Sequence, residues 1–448
     1  MSNRELLKGV LAAADRDSEI YLSTNREIEI SAFNGAVNNF TMAESSGAGA
    51  RVVDGGRSGA AFTESISADS LSAALAAASG NAAYSAVDAG NVLYGGGEIT
   101  GEANGQVDAL RGISAADKKQ VALDVERLAR AYDKRIVNVP YAYYQEVTGE
   151  VLLASTSGTL AERQYAYCGG MVYLVASDGS DTQVGSAMRL TAAFEGISIE
   201  DIVQEAAEKA LRMLGAGSIE SGSPAMVLDE AVAGSLLGAF ICSGGSHFYG
   251  ENIQKNRSRL RGERGEPVGC ANFTLIDDPH AGTIRSRPFD AEGVPTSRCT
   301  VVEKGSLVTV PYSVYAAARA ESKILPTGHG RRGGYAGGIS TGFHDIFIPD
   351  GTDSREALLG MMGEGLLITN LEGLHSGLDP ITGDFSLAAK GFRVSGGSVG
   401  APVRNFTVAG NFFDLITHIE AVGNDRREYR SGTLSSPSLL VTGLSVSS

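Results

Sequence analysis

The stretch MVLDEAVAGSLLGAF at residues 226–240 sets two adjacent carboxylates, Asp229 and Glu230, between a short apolar run and a helix-forming segment. Carboxylates in the first turn of a helix can cap free N–H groups, hold a cation, or act as a base. A hydrolytic zinc site needs three protein ligands, commonly including histidine, an open position for water, and a carboxylate base. Only carboxylates are present here. Neighbours on a helix diverge by about 100°, so Asp229 and Glu230 do not converge on one ion unaided. Magnesium or calcium needs more oxygen ligands than the stretch supplies. The residues alone therefore read as a cap followed by a core helix. Asp229 is the N-cap, Val232, Leu236 and Phe240 form one buried row, and Gly234 and Gly238 let a neighbouring backbone approach.

The remaining metal-ligating and nucleophilic types are scattered. The histidines, His247, His280, His329, His344, His375 and His418, form no HxxxH or HxH pair. Cys168, Cys242, Cys270 and Cys299 form no CxxC pair, which fits reduced thiols better than a disulfide framework. A cysteine–histidine nucleophile assembled from remote positions stays open, although Cys299 reads as a strand residue. The segment PTGHGRRGGYAGGISTGFHD (326–345) carries seven glycines in twenty residues, with Arg331, Arg332 and Tyr335. It lacks a Walker lysine and reads as a mobile loop near a groove, its arginines suited to a carboxylate. In GLHSGLDPITGDFS, His375 and Asp379 either line a peptide groove or form plain turns, and Asp384 reads as a turn residue.

The bulk composition narrows the partners. A net charge of −15 repels phosphate backbones. The one basic run, KNRSRLRGER at 255–264, has five cations and one acid and no nucleic-acid motif. No nucleic-acid or membrane partner is expected, and the N-terminus reads as an amphipathic helix without a signal-peptide pattern. The expected location is cytoplasmic.

Hydrophobic periodicity predicts helices over 4–14, 70–78, 115–132 and 199–214, and strands at 20–22, 28–30 and 50–53. Asp54-Gly55-Gly56 reads as a hairpin turn. Residues 138–194 alternate as strands. A polar boundary, SIESGSP, suggests a division near residue 220. The expected class is α+β: an N-terminal α/β-type sandwich domain (1–220), then a strand-rich C-terminal domain (221–448) with few helices.

Ordered blocks across nearly the whole chain resemble the TldD/PmbA family, once called modulators of DNA gyrase. They are ARVVDGGRSGAAFTES (50–65), Asp277-Asp278, DAEGVP (290–295), PITGDFS (380–386), Gly391-Phe392, TVAGN (407–411) and GND (423–425). TldD-like members of that family carry an HExxxH helix and a later cysteine and act as zinc peptidases. PmbA/TldE-like members lack those ligands and pair with the first kind. Here the HExxxH positions are Asp229, Glu230 and Gly234, and no cysteine follows Cys299. The resemblance implies a PmbA/TldE-like, non-catalytic subunit, a degenerate site without metal, and no cofactor in this chain. It implies zinc in a TldD-like partner, a homodimer or heterodimer, and a cavity for proteolysis of small or unfolded peptides. A self-sufficient peptidase with a non-standard metal or cysteine site, and a homodimeric peptide-binding scaffold, are the alternatives.

Overall fold

A computed structural model describes residues 2–102, 107–320, 323–427 and 434–448. The first half is built on strands β1 (Asp17–Phe33), β2 (Ala36–Asp54), β3 (Arg57–Thr63), β4 (Glu98–Glu102), β5 (Ile136–Ser155), β6 (Leu160–Ser177) and β7 (Thr182–Thr191), all antiparallel except the short β4, which runs parallel to β6. They form one seven-stranded sheet in the order β3-β2-β1-β5-β6-β4, with β7 also paired to β6. Two glycine hairpins fix the register. Asn34-Gly35 and Gly55-Gly56 all have positive φ, the conformation a tight two-residue turn demands. The predicted turn at Asp54-Gly55-Gly56 is therefore present, with Asp54 opposite Arg57.

The helices α1 (Asn3–Ala12), α2 (Ala68–Ala82), α3 (Val107–Gly112), α4 (Ala115–Tyr132) and α5 (Ile199–Leu211) pack on this sheet. Their starts are set by serine caps: Ser2 with Glu5 in a reciprocal capping box, then Ser67, Ser114 and Ser198. Amphipathic spacing buries Val121, Ala122, Val125 and Ala129 of α4 against Ile202 and Ala206 of α5 and the sheet.

The second half opens with β8 (Met226–Leu228) and α6 (Glu230–Ile241), and goes on with many short strands. These are β9 (Leu275–Asp277), β10 (Cys299–Glu303), β11 (Ser306–Leu307), β12 (Gly330–Arg332), β13 (Ile339–Thr341) and β14 (Ile346–Phe347). Longer strands follow: β15 (Gly365–Glu372), β16 (Asp384–Ser395) and β17 (Ser398–Asn411). The last are β18 (Ile419–Val422), β19 (Leu434–Ser435), β20 (Leu439–Val441) and β21 (Ser445–Ser447). A second seven-stranded sheet runs β18-β20-β8-β15-β16-β17-β21, and a smaller one runs β11-β10-β9-β14-β19. Leu236, Leu237, Phe240 and Ile241 of α6 fill the core with Phe385, Phe412 and Leu439. The protein is α+β, and no helix among the described residues is long and apolar enough to cross a membrane.

The glycine-rich segment departs from a loose loop. β12 and β13 pair as a ribbon, and the turn between them lies on the first sheet. There the Arg332 Nη2 donates to the Glu19 Oε1 at 2.6 Å and the Tyr335 hydroxyl bonds Glu64 at 3.0 Å. Gly47 of β2 leaves room for the Tyr335 ring: a Cβ there would sit 2.5 Å from it. The basic run 255–264 is likewise engaged, with Arg259 over the Phe413 ring and donating to the Thr382 carbonyl.

Glu19 is 1% exposed and sits between Arg51 (3.1 Å) and Arg332. Burial pushes its carboxyl up, and the two guanidiniums outweigh this and hold it below the ordinary range. A carboxyl lowered on folding stabilises above its unfolded value of about 4.3, and that contribution is lost as pH falls through the folded value. Glu19→Gln would strand two buried guanidiniums. It is expected to cost about 3–5 kcal/mol in denaturant unfolding at neutral pH and to flatten the acid limb of stability. A loss below about 1 kcal/mol, the range of an exposed pair, would contradict this role.

Candidate functional site

The carboxylate pair opens α6 beside a cleft of about 1220 Å³. β8 lies parallel to β15, and the Asp229 N–H donates to the Ile368 carbonyl at 3.1 Å, which ends the strand pairing. The Asp229 Oδ1 then accepts from the Val232 N–H at 2.8 Å, an N-cap as the sequence predicts. Glu230, also buried, lies 4.0 Å from the Arg427 guanidinium. Arg189, Glu205 and Lys209 line the cleft from the first half, and Leu371, Leu374 and Lys390 from the second.

The residues present do not fit zinc. One oxygen of Asp229 is engaged with the helix N-terminus. Gly234 faces backbone: a Cβ at that position would lie 2.7 Å from the Leu434 carbonyl oxygen, so a ligating side chain cannot enter without moving β19. Among the described residues no three His, Cys, Asp or Glu side chains gather as a metal-ligand set.

The other candidates lie elsewhere. Asp379 accepts from the Ile381 N–H at 2.8 Å and the Thr382 N–H at 3.3 Å, the work of a turn residue. That exposed turn, with His375 in it, docks through the Pro380 and Ile381 carbonyls onto the His247 Nε2 at 3.1 Å. Neither His375 nor Asp379 lines the cleft, although Leu371, Glu372 and Leu374 just before them do. Arg332 and Tyr335 face the first sheet, and the Arg331 Nη1 donates to the Phe343 carbonyl at 2.8 Å. The five groove candidates thus do not form one site with Asp229 and Glu230.

A further polar centre lies between β9, β10 and β12. The His329 Nε2 stands 3.1 Å from the Asp277 Oδ2 and 3.8 Å from the Cys299 Sγ, so the remote cysteine–histidine pair does form. The Thr327 Oγ1 accepts from the Tyr312 N–H and gives its own proton to the Tyr312 carbonyl, so it accepts from the His329 Nδ1 at 2.8 Å. Both imidazole nitrogens therefore donate. Burial lowers the His329 pKa, but bonds to Asp277 and Cys299 raise it to about 9. The His329 Nε2 lies nearer the Asp277 carboxylate than the Cys299 sulfur, so its proton is held chiefly by Asp277. The only sequence signals were Asp277-Asp278 and the 326–345 glycines. Pairing of Cys299 with Asp277 across β10 and β9 needed the strand register.

Comparison with known proteins places this architecture. Models of PmbA/TldA metallopeptidase domain 1, central domain and C-terminal domain match residues 18–82, 108–214 and 221–448. The chain belongs to the PmbA/TldA metallopeptidase family. It is 27% identical over 453 residues to Metalloprotease PmbA of Escherichia coli O157:H7, covering 97% of this chain and 94% of that relative. It is 26% identical to a Metalloprotease TldD homolog of Haemophilus influenzae over 398 residues, 84% of this chain and 79% of that one. A candidate modulator of DNA gyrase from Thermotoga maritima, 28% identical, superposes with a TM-score of 0.86 over 100% of both chains. TldE from Thermococcus kodakarensis has the same fold at a TM-score of 0.86 and 22% identity, with 100% of both chains covered.

The packing at α6 makes a direct forecast. Asp229→Ala should lose the cap and cost about 1 kcal/mol, whereas Asp229→Asn should keep most of it. The double substitution Asp229→His with Gly234→His should be less stable than the parent and bind no zinc. Calorimetric titration with zinc checks this, and a restored stoichiometric site would contradict the packing argument.

Proposed function

We infer that this chain is a metal-ligand-lacking, PmbA/TldE-like subunit of a TldD/TldE-type zinc peptidase. A TldD-like partner supplies metal, base and water, and this chain supplies walls of a cavity for small or unfolded peptides. The observation that carries this reading is the fate of the HExxxH positions: Asp229 caps the helix, and Gly234 is closed off by the Leu434 carbonyl. The likeness to both PmbA and TldD relatives supports a two-subunit assembly. The division into domains falls near residue 220, so that the cleft lies between them, and the complex works in the cytoplasm.

Dimerisation has a surface suited to it. β2 pairs with β3 only from Ala48 onward, so residues 36–47 present an outer edge with no strand paired to it among the described residues. Phe40 and Met42 on that edge are exposed. Free edges of this kind recruit a strand from another chain.

The test is reconstitution. The purified chain alone should not hydrolyse unstructured peptides, and adding a TldD-like partner should give chelator-sensitive cleavage. In the assembled enzyme Glu230→Gln should leave the rate nearly unchanged, and Leu374→Trp, which fills the cleft, should raise KM about tenfold. Chelator-sensitive cleavage by the chain alone, abolished by Glu230→Gln, would overturn the assignment in favour of a self-sufficient peptidase.

A further inference from the structure

We propose that Arg163, Arg287 and Arg331 form a binding site for an oxyanion, a carboxylate or phosphate group, in a recess between the first sheet and the second half of the chain. Register and packing bring Arg163 near Arg287, and both feel the charge of Arg331. On one face of the sheet, Tyr21, Leu153 and Ala161 form a row, Ser23, Val151, Arg163 and Gly101 the next, and Asn25, Gly149 and Tyr165 a third. The segment after Arg287 lies on that face. A Cβ on Gly101 would be 2.7 Å from the Pro288 ring, and Phe289 packs among Tyr21, Leu153 and Ala161. Arg331 precedes Arg332, whose guanidinium lies 4.6 Å from the Tyr21 ring centre.

The same interior shows how a balanced arginine looks. Arg51 and Arg332 share the Glu19 carboxylate. Arg163, Arg287 and Arg331 form no ion pair with a carboxylate of the described residues. Arg163 has only the Tyr165 ring at 5.1 Å, Arg287 bonds the Arg285 carbonyl at 3.3 Å, and Arg331 bonds the Phe343 carbonyl. The nearby carboxylate, Asp277, is already engaged by His329 and by the His344 and Asp345 N–H groups. Burial first, and neighbouring guanidinium charge second, hold Arg287 well below its ordinary range; Arg163 is lowered in the same direction, chiefly by burial. The three are half-buried, so solvent still reaches them as it would groups lining a recess. His344, which feels the charge of Arg287 and Arg331, has a buried Nδ1 with no hydrogen-bond partner. Uncompensated cations in such a place attract a counter-ion, and planar forks match the paired oxygens of carboxylate and phosphate.

Thermal melting and calorimetry on the full chain test this, with ionic strength held constant by chloride. Inorganic phosphate, or an unstructured tetrapeptide with a free C-terminus, should bind saturably at one site per chain and raise the Tm. Binding of the free-acid peptide but not its C-terminal amide assigns the site to chain termini; binding of phosphate alone assigns it to a phosphate ligand. Arg163→Gln and Arg287→Gln should each weaken binding by about tenfold or more. In oxyanion-free buffer both should melt no lower than the parent, because each removes an unpaired charge. A purely structural arginine would instead lower the Tm on removal. No saturable binding of either probe, or unchanged affinity in both variants, overturns the proposal.

Discussion

Glu19 links the two halves of the molecule. It is a carboxylate near the start of β1, 1% exposed, that receives Arg51 from the neighbouring strand and Arg332 from a segment 313 residues away. One guanidinium is local and the other comes from the second half, so the buried carboxylate has both partners only when the β12–β13 ribbon is seated on the first sheet. Tyr335 against Gly47 and Phe289 among Tyr21 and Ala161 add apolar contact around the same bridge. The cleft beside Asp229 and Glu230 is lined by Arg189, Glu205 and Lys209 from the first half and by Leu371 and Lys390 from the second.

Helix α6 is fixed by the scaffold on both sides of it. The strand–cap–helix order remains, and Leu236, Leu237 and Phe240 hold the helix in the core. Asp229 serves as the cap, and Gly234 is a point of backbone contact where a Cβ would lie 2.7 Å from the Leu434 carbonyl oxygen. The remaining carboxylate, Glu230, faces a cleft that contains cations such as Arg427.

Much of the local structure was legible in the sequence. α4 spans the residues its apolar spacing predicts, Asp229 caps α6, and Asp54-Gly55-Gly56 turns where glycines at positive φ are required. The strands 20–22 and 28–30 proved to be one strand, Asp17–Phe33, because the polar run between them stays paired on both sides. Pairing on two sides satisfies the backbone whatever the side chains are, so hydropathy alone marks such a strand only in pieces. The sequence left a remote cysteine–histidine pair open and marked Arg331 as suited to a carboxylate, but it gave neither the Asp277–His329–Cys299 grouping nor the neighbours of Arg331. They assemble from residues far apart in the chain, and strand register decides which of them share a face.

The claim on which the account rests is that this chain holds no catalytic metal of its own. Elemental analysis of untagged, natively purified protein tests it most directly. The expected result is zinc far below one atom per chain, with no other transition metal near stoichiometry. One tightly held zinc per chain, surviving dialysis, would contradict the account, because its ligands would have to come from residues assigned here to a helix cap, turns and buried ion pairs.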